Sequence, residues 1–315
     1  MDRGARQGPV TGTAGDSGAA GNTRSVRPAA RGSSEGQPVM RYVAAAKTDV
    51  GRKRHGNEDS FCLAEDLGLY VVADGMGGHA AGEVASRLAV ETIRETMGRY
   101  LGGRPTTMAG STAPAGSREA NFLLSSIRKA NRAIFDTANG RSECAGMGTT
   151  VAAALTQGDR FLLANVGDSR IYRIRGGAIE QVSRDHSFVQ QQVDLGLLSE
   201  AEAHRSQYRH MITRALGHKE SVEIDLTEQS AQVGDVLLLC SDGLSDLLDK
   251  DEILAAAGEH PTDLIKACGA LVDRANRKGG DDNITVLMIH ALADDGHSPE
   301  GPSGLLAWLK RVFGG

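Results

Sequence analysis

The sequence predicts an α+β fold built on antiparallel sheets, and three observations carry that expectation. Strand-like runs come in groups around helical pairs, not in strict β-α-β alternation. A Gly-Gly pair joins two of the runs with the spacing of a hairpin. Several longer stretches repeat apolar residues with the 3.6 period of a one-sided helix.

The first strand-like run is RYVAAAKT (41–48), followed by LYVVA (69–73). Between 83 and 97, Val84, Leu88, Ala89, Ile93 and Met97 share one helical face. The Gly/Pro/Ser/Thr-rich stretch 102–117 reads as a long surface loop, and a second helical pattern follows it over about 117–138. TTVAAALT (149–156), RFLLANV (160–166) and SRIYRIR (169–175) are strand-like, and Gly176-Gly177 turns the last of them into AIEQV. Ser199 with Glu202 fits a capping box before a short helix. The remaining strand-like runs are VEIDL (222–226), VLLLC (236–240) and ITVLMIH (284–290). From 263 to 277, Leu264, Ile265, Cys268, Leu271, Val272 and Ala275 line a third helical face.

Composition narrows the function classes. The chain has 315 residues, 40% of them apolar, which suits one large domain or two small ones. Its 35 basic against 40 acidic side chains leave a net charge of −5. That balance argues against a nucleic-acid binder working through bulk positive charge. No apolar run nears the ~20 residues of a membrane helix. The first residues hold no apolar stretch either, so no secretory leader is expected. Cys62, Cys144, Cys240 and Cys268 form no C-x-x-C pair. Free thiols and a reducing, cytoplasmic setting follow. Residues 1–38 lack large apolar side chains and are expected to form a disordered tail. In SGLLAWLKRVFGG (303–315), Leu305, Leu306, Trp308, Leu309, Val312 and Phe313 make an apolar helical face. That segment either folds back on the domain or contacts a partner or a membrane surface.

Three apolar runs end in an aspartate beside glycine or serine: Asp74-Gly75, Asp168-Ser169 and Asp242-Gly243. A fourth aspartate, Asp282, precedes Asn283-ITVLMIH. Any one of these reads equally as turn chemistry. As a group, carboxylates gathered at strand ends would repel one another unless a cation neutralised them. Oxygen donors without Cys or His at ligand spacing suit Mg²⁺, Mn²⁺ or Ca²⁺. Two such ions sharing a carboxylate can present a bridging hydroxide to a phosphate ester. A guanidinium to hold the phosphate would complete the set. Arg54 stands before the acidic pair Glu58-Asp59, although an exposed loop arginine beside Arg52 and Lys53 fits the same composition.

The ordered series GRKRHGNEDS (51–60), VADGMGGH (72–79), GMGTT (146–150), NVGDSRIYR (165–173), RDHS (184–187), ITRALG (212–217), LLCSDGLSD (238–246) and GGDDNITV (279–286) resembles the metal-dependent type-2C serine/threonine protein phosphatases, the PPM family, in bacterial form. The resemblance covers roughly 40–291 and implies a catalytic domain over 39–292, with 293–315 as linker and amphipathic segment. It implies an αββα fold, a β-sandwich of two antiparallel sheets flanked by helix pairs. It also implies hydrolysis of phosphoserine and phosphothreonine in proteins with two Mn²⁺ or Mg²⁺ ions and a third, weaker one. On that resemblance Asp74 bridges two metals and Gly75 offers its carbonyl. Asp242 and Asp282 bind the second metal, and Asp168 holds the third. Glu58, Asp59 and Asn283 act from behind the metal ligands, and Arg54 clamps the phosphate. Residues 187–217 correspond to a mobile flap near the substrate entrance. The substrates implied are products of a serine/threonine kinase, and no nucleic-acid partner is expected.

One position departs from the eukaryotic pattern. Those members carry His directly after the Asp-Gly pair, where this chain has Met76, a feature bacterial relatives commonly share. With His79 three residues on, a metal-bound water is the expected proton donor. GMGGHA (75–80) also satisfies a dinucleotide-binding pattern, but Asp74 would repel the pyrophosphate. A non-catalytic phosphoprotein-binding scaffold on the same fold would be marked by loss of a metal aspartate. Asp74, Asp242 and Asp282 are all present.

Overall fold

A computed structural model describes residues 40–77, 81–101 and 118–294. The expected N-terminal tail, the 102–117 loop, His79 and the amphipathic segment 303–315 lie outside the described residues. Eleven strands are arranged in two sheets, and every pairing is antiparallel. The first sheet has the order β1 (Met40–Asp49), β11 (Ile284–Ala293), β10 (Val236–Cys240), β7 (Arg170–Arg175), β8 (Ala178–Gln181). The second runs β2 (Asp59–Ala64), β3 (Leu69–Met76), β5 (Val151–Gln157), β6 (Arg160–Val166), β9 (Asp225–Ser230), with β4 (Gly148–Thr149) pairing on β3.

The two-residue period of each strand builds the layers. Tyr70 and Val72 of β3, with Ala152, Ala154, Phe161 and Leu163, face Ile171, Leu237, Leu239, Leu287 and Ile289 of the other sheet. The alternate residues Val71 and Ala73 turn outward onto α1 (Ala81–Leu101) and α2 (Arg118–Gly140), meeting Ile93, Leu123 and Ile127. On the opposite side Leu238, Cys240, Val286 and Met288 pack against α6 (Lys250–Gly258) and α7 (Leu264–Arg277). The result is the predicted four-layer helix–sheet–sheet–helix sandwich. Fully burying one such aliphatic side chain contributes roughly 1.5–3 kcal/mol, so the three apolar interfaces dominate the stability.

All four cysteines are buried and free. The Ser199–Glu202 capping box is present at the start of α4 (Glu200–Arg205). A second one, Asp249–Glu252, opens α6. Helices α3 (Phe188–Asp194) and α4 lie in the 187–217 segment; a Ser187–Ile212 bridge closes the segment on itself, and a Thr149–Leu216 bridge ties it to the body. The strand expected at 222–226 is corrected to Asp225–Ser230, because that is where the chain aligns with Arg160–Asn165 of β6. Val222, Ile224 and Leu226 still pack on the α1/α2 side. Strand β2, helices α3 and α6 and the short α5 (Asp242–Ser245) were not expected. Among the described residues no helix is long and apolar enough to cross a membrane.

Candidate active site

Every expected aspartate sits where a strand stops. Asp74 is near the end of β3, directly opposite Asp59 at the start of β2. Its peptide is fixed on both sides by the GMGTT segment. The Asp74 N–H donates to Thr150 Oγ1 (3.0 Å), and the Asp74 carbonyl accepts from Thr149 Oγ1 (2.8 Å) and the Thr150 N–H (2.9 Å). Thr150 Oγ1 lies 2.6 Å from Ser169 Oγ, which connects this brace to the loop of Asp168. Gly75 must be glycine, since a Cβ there would stand 2.1 Å from the Gly82 carbonyl oxygen. Gly167 adopts φ +105°, a left-handed conformation that lets the chain turn into Asp168. Asp242 begins α5 directly after β10, and Asp282 precedes β11 on the neighbouring strand.

Asn283 organises the loop that carries Arg54. Its side-chain amide donates to the Val50 and Gly56 carbonyls (2.9 Å each), and its Oδ1 accepts from the Glu58 N–H (2.8 Å). The Asn283 N–H in turn donates to Asp282 Oδ1 (2.8 Å). Arg54, half exposed, places Nη2 2.6 Å from Asp282 Oδ2. The guanidinium therefore stands at the carboxylates. Behind them, Ser241 Oγ takes the Thr285 N–H (2.9 Å) and donates to Asp59 Oδ2 (2.7 Å).

Arg54, Glu58, Asp74, Gly75, Asp242, Asp282 and Asn283 line one cleft of about 720 Å³. Asp59 and Asp168 are not on its wall. Asp59 lies behind Asp74, and Asp168 lines an adjoining cavity that shares Asp242. Met76 occupies the cleft at the position after the Asp-Gly pair. Sequence reasoning missed Arg209, His210 and His218, which also line the cleft. It missed Asp246 too, whose Oδ2 lies 3.2 Å from His210 Nδ1. One ligand atom from each of His210, Asp242 and Asp246 falls within 4.8 Å of the others. Asp246 was the readable member of that group, one helical turn after Asp242 in the same motif.

Asp59, Asp74, Asp168 and Asp242 hold protons more tightly than free aspartates do. Burial pushes Asp74 well up, and Asp59, Asp242, Asp168 and Asp282 add repulsion. Asp242 is raised by burial, then by Asp168, Asp246, Asp282 and Asp59. Asp168 is pushed up to about 7, by burial first and then by Asp185. Burial brings Asp59 to about 6 against hydrogen bonds from Thr285 and Ser241, with Asp282 and Glu58 opposing ionisation. Three buried oxygens, Asp59 Oδ1, Asp168 Oδ1 and Asp242 Oδ1, have no hydrogen-bond partner. Unpaired buried carboxylate oxygens are costly, and a hard cation is the group that satisfies them. The donor set fits Mg²⁺ or Mn²⁺.

The layered sandwich presents an acidic rim of oxygen donors, a set suited to hard cations, at one edge of two packed sheets. The Protein phosphatase 2C profile matches residues 52–279. Over 251 residues the chain is 39% identical to the serine/threonine protein phosphatase PstP of Mycobacterium tuberculosis, covering 79% of this chain and 45% of PstP. The chain thus spans under half the length of that relative. It is 35% identical over 249 residues to the serine/threonine phosphatase stp of Listeria monocytogenes, covering 78% of this chain and 94% of that protein. A crystal structure of the PstP catalytic domain in complex with two manganese ions matches it with a TM-score of 0.67 and 38% identity, over 81% of this chain and all of that one. The chain belongs to the protein phosphatase 2C family.

Proposed function

We propose that this protein removes phosphate from phosphoserine and phosphothreonine in proteins, using two Mn²⁺ or Mg²⁺ ions. Asp74, the Gly75 carbonyl, Asp242 and Asp282 would hold them, with Asp168 serving a third. Such ions supply charge neutralisation on the phosphate and acidify water at neutral pH. The observation that carries the reading is the meeting of Asp74, Asp168, Asp242 and Asp282 across two adjoining cavities beside Arg54, with Asp168 and Asp242 each holding an unpaired oxygen.

The chain's own residues then have separable tasks. Arg54 presents a planar fork of donors suited to two phosphate oxygens. In its absence from substrate that fork rests on Asp282, and the pair keeps the guanidinium aimed at the cleft. Asn283 holds the Arg54 loop in register with Asp282. Glu58, on the cleft wall, would accept hydrogen bonds from cleft water, and Asp59 would act from behind, through its place opposite Asp74. Met76 has no proton to give at the position after the Asp-Gly pair, and cleft water would protonate the departing serine or threonine oxygen. Residues 39–292 constitute the catalytic domain. Its substrates are phosphoproteins made by a serine/threonine kinase, and the four buried free thiols fit a cytoplasmic location.

Hydrolysis of a phosphothreonine peptide with Mn²⁺ is the direct test, comparing the unaltered chain with Asp242→Asn. Chelator-sensitive turnover that Asp242→Asn abolishes is the expected result. Equal rates in the two proteins would overturn the assignment.

A further inference from the structure

A second cavity, of about 460 Å³, adjoins the catalytic cleft and shares Asp242, Asp246 and Arg209 with it. Apart from Asp168 and Asp242, which the ions would engage, five carboxylates line it against three cationic side chains. Two of those cations are already engaged: Arg170 pairs with Asp185 at 2.7 Å, and Arg209 lies 4.0 Å from Asp246. Part of the wall is apolar, from Val189 and Val193 of α3, Ala203 of α4 and Leu248. Asp168 Oδ1 is left to an ion, but a second buried polar atom on the lining is also unsatisfied: Ser245 is 3% exposed and its Oγ has no hydrogen-bond partner.

An excess of negative charge, an unpaired hydroxyl and an aliphatic wall together describe the complement of one kind of ligand. It carries a cationic head with several N–H donors on a hydrocarbon stem. An ion at Asp168 makes no use of Val189, Val193 and Ala203, which remain for a second ligand. We propose that this pocket receives the side chain of an arginine or lysine flanking the phosphorylated residue of a substrate protein. The proposal rests on the phosphatase reading above and names the substrates that reading leaves open. Because pocket and cleft share a wall, the basic residue lies within a few positions of the phosphorylated one.

The test uses the full chain with Mn²⁺ and phosphothreonine peptides carrying either arginine or its neutral isostere citrulline at each position from −4 to +4. At one position or at adjacent ones, the arginine peptide should show a kcat/KM higher by about tenfold, the scale of a charge-assisted contact. Val193→Arg places the chain's own guanidinium in the pocket and should bring that ratio to within about twofold of unity. Ala203→Trp fills the pocket from α4 and should do the same. Equal kcat/KM for both peptides at every position would overturn the proposal, as would a preference that survives both variants. Failure of the unaltered chain to hydrolyse p-nitrophenyl phosphate or any peptide would instead overturn the phosphatase reading.

Discussion

The interior of the sandwich and its acidic rim are made by the same strands but obey opposite rules. Between the sheets, Tyr70, Phe161, Leu239 and Leu287 are almost wholly buried among apolar neighbours. A few residues further along the same or adjoining strands, Asp59, Asp74, Asp168, Asp242 and Asp282 crowd together, three of them with an oxygen left unpaired. The interior supplies stability, and the rim gives some of it up by crowding buried carboxylates together. Separate damage to the two regions should therefore have separate signatures.

The largest effect belongs to the rim. Asp74→Asn or Asp242→Asn should lower kcat/KM on a phosphopeptide by about a thousandfold or more while leaving the chelated protein folded by circular dichroism. If either variant unfolds instead, rim and interior are not separable. Leu239→Ala is the mirror experiment. It should cost roughly 2–5 kcal/mol in urea unfolding, with near-normal activity per folded molecule. Loss of activity without loss of stability would contradict the division of labour.

Asn283→Ala sits on the border between the regions. It removes three hydrogen bonds that hold the 50–58 segment and should lower kcat/KM by about tenfold, the scale of one lost buried contact. Unchanged kinetics would mean that the Arg54 loop holds its place without Asn283.

A smaller effect sharpens the comparison through pH. Asp168 (about 7) and Asp59 (about 6) bind protons more tightly folded than unfolded. In chelated protein, stability should therefore fall as pH rises from about 4 to about 7 and then level off. Added Mn²⁺ should reduce this slope. Asp168→Asn should raise the chelated melting temperature at pH 7.5 by a few degrees, with a benefit that vanishes near pH 4. Thermal melts at matched ionic strength decide it, and a chelated protein that is most stable at pH 7.5 would refute the electrostatic account.

Much of this was legible along the chain because strand and helix periods are local. The runs at 41–48, 160–166 and 236–240 became β1, β6 and β10 with small changes at their ends. Strand β2 was hidden because DSFCLA is short and begins with the aspartate that faces Asp74. Its strand character comes from pairing with β3, not from its own composition. The Asp249–Glu252 capping box carried the same signature as Ser199–Glu202 and could have been read. The Asp-Gly and Asp-Asn motifs marked the rim residues singly. What no local pattern could supply was which oxygens remain unpaired, since that depends on Ser241, Thr285 and Asn283 arriving from elsewhere.

Strands β1 and β11 run side by side for ten residues, from Asp49–Ile284 beside the acidic rim to Met40–Ala293 at the other end. At about 3.3 Å per residue that is a separation of roughly 30 Å. A fluorophore or a solid support coupled at Met40 or Ala293 would thus sit clear of the cleft mouth, so immobilised protein should still accept bulky phosphoproteins. The same span lies within the range of resonance energy transfer, giving a ruler between that end and a labelled substrate.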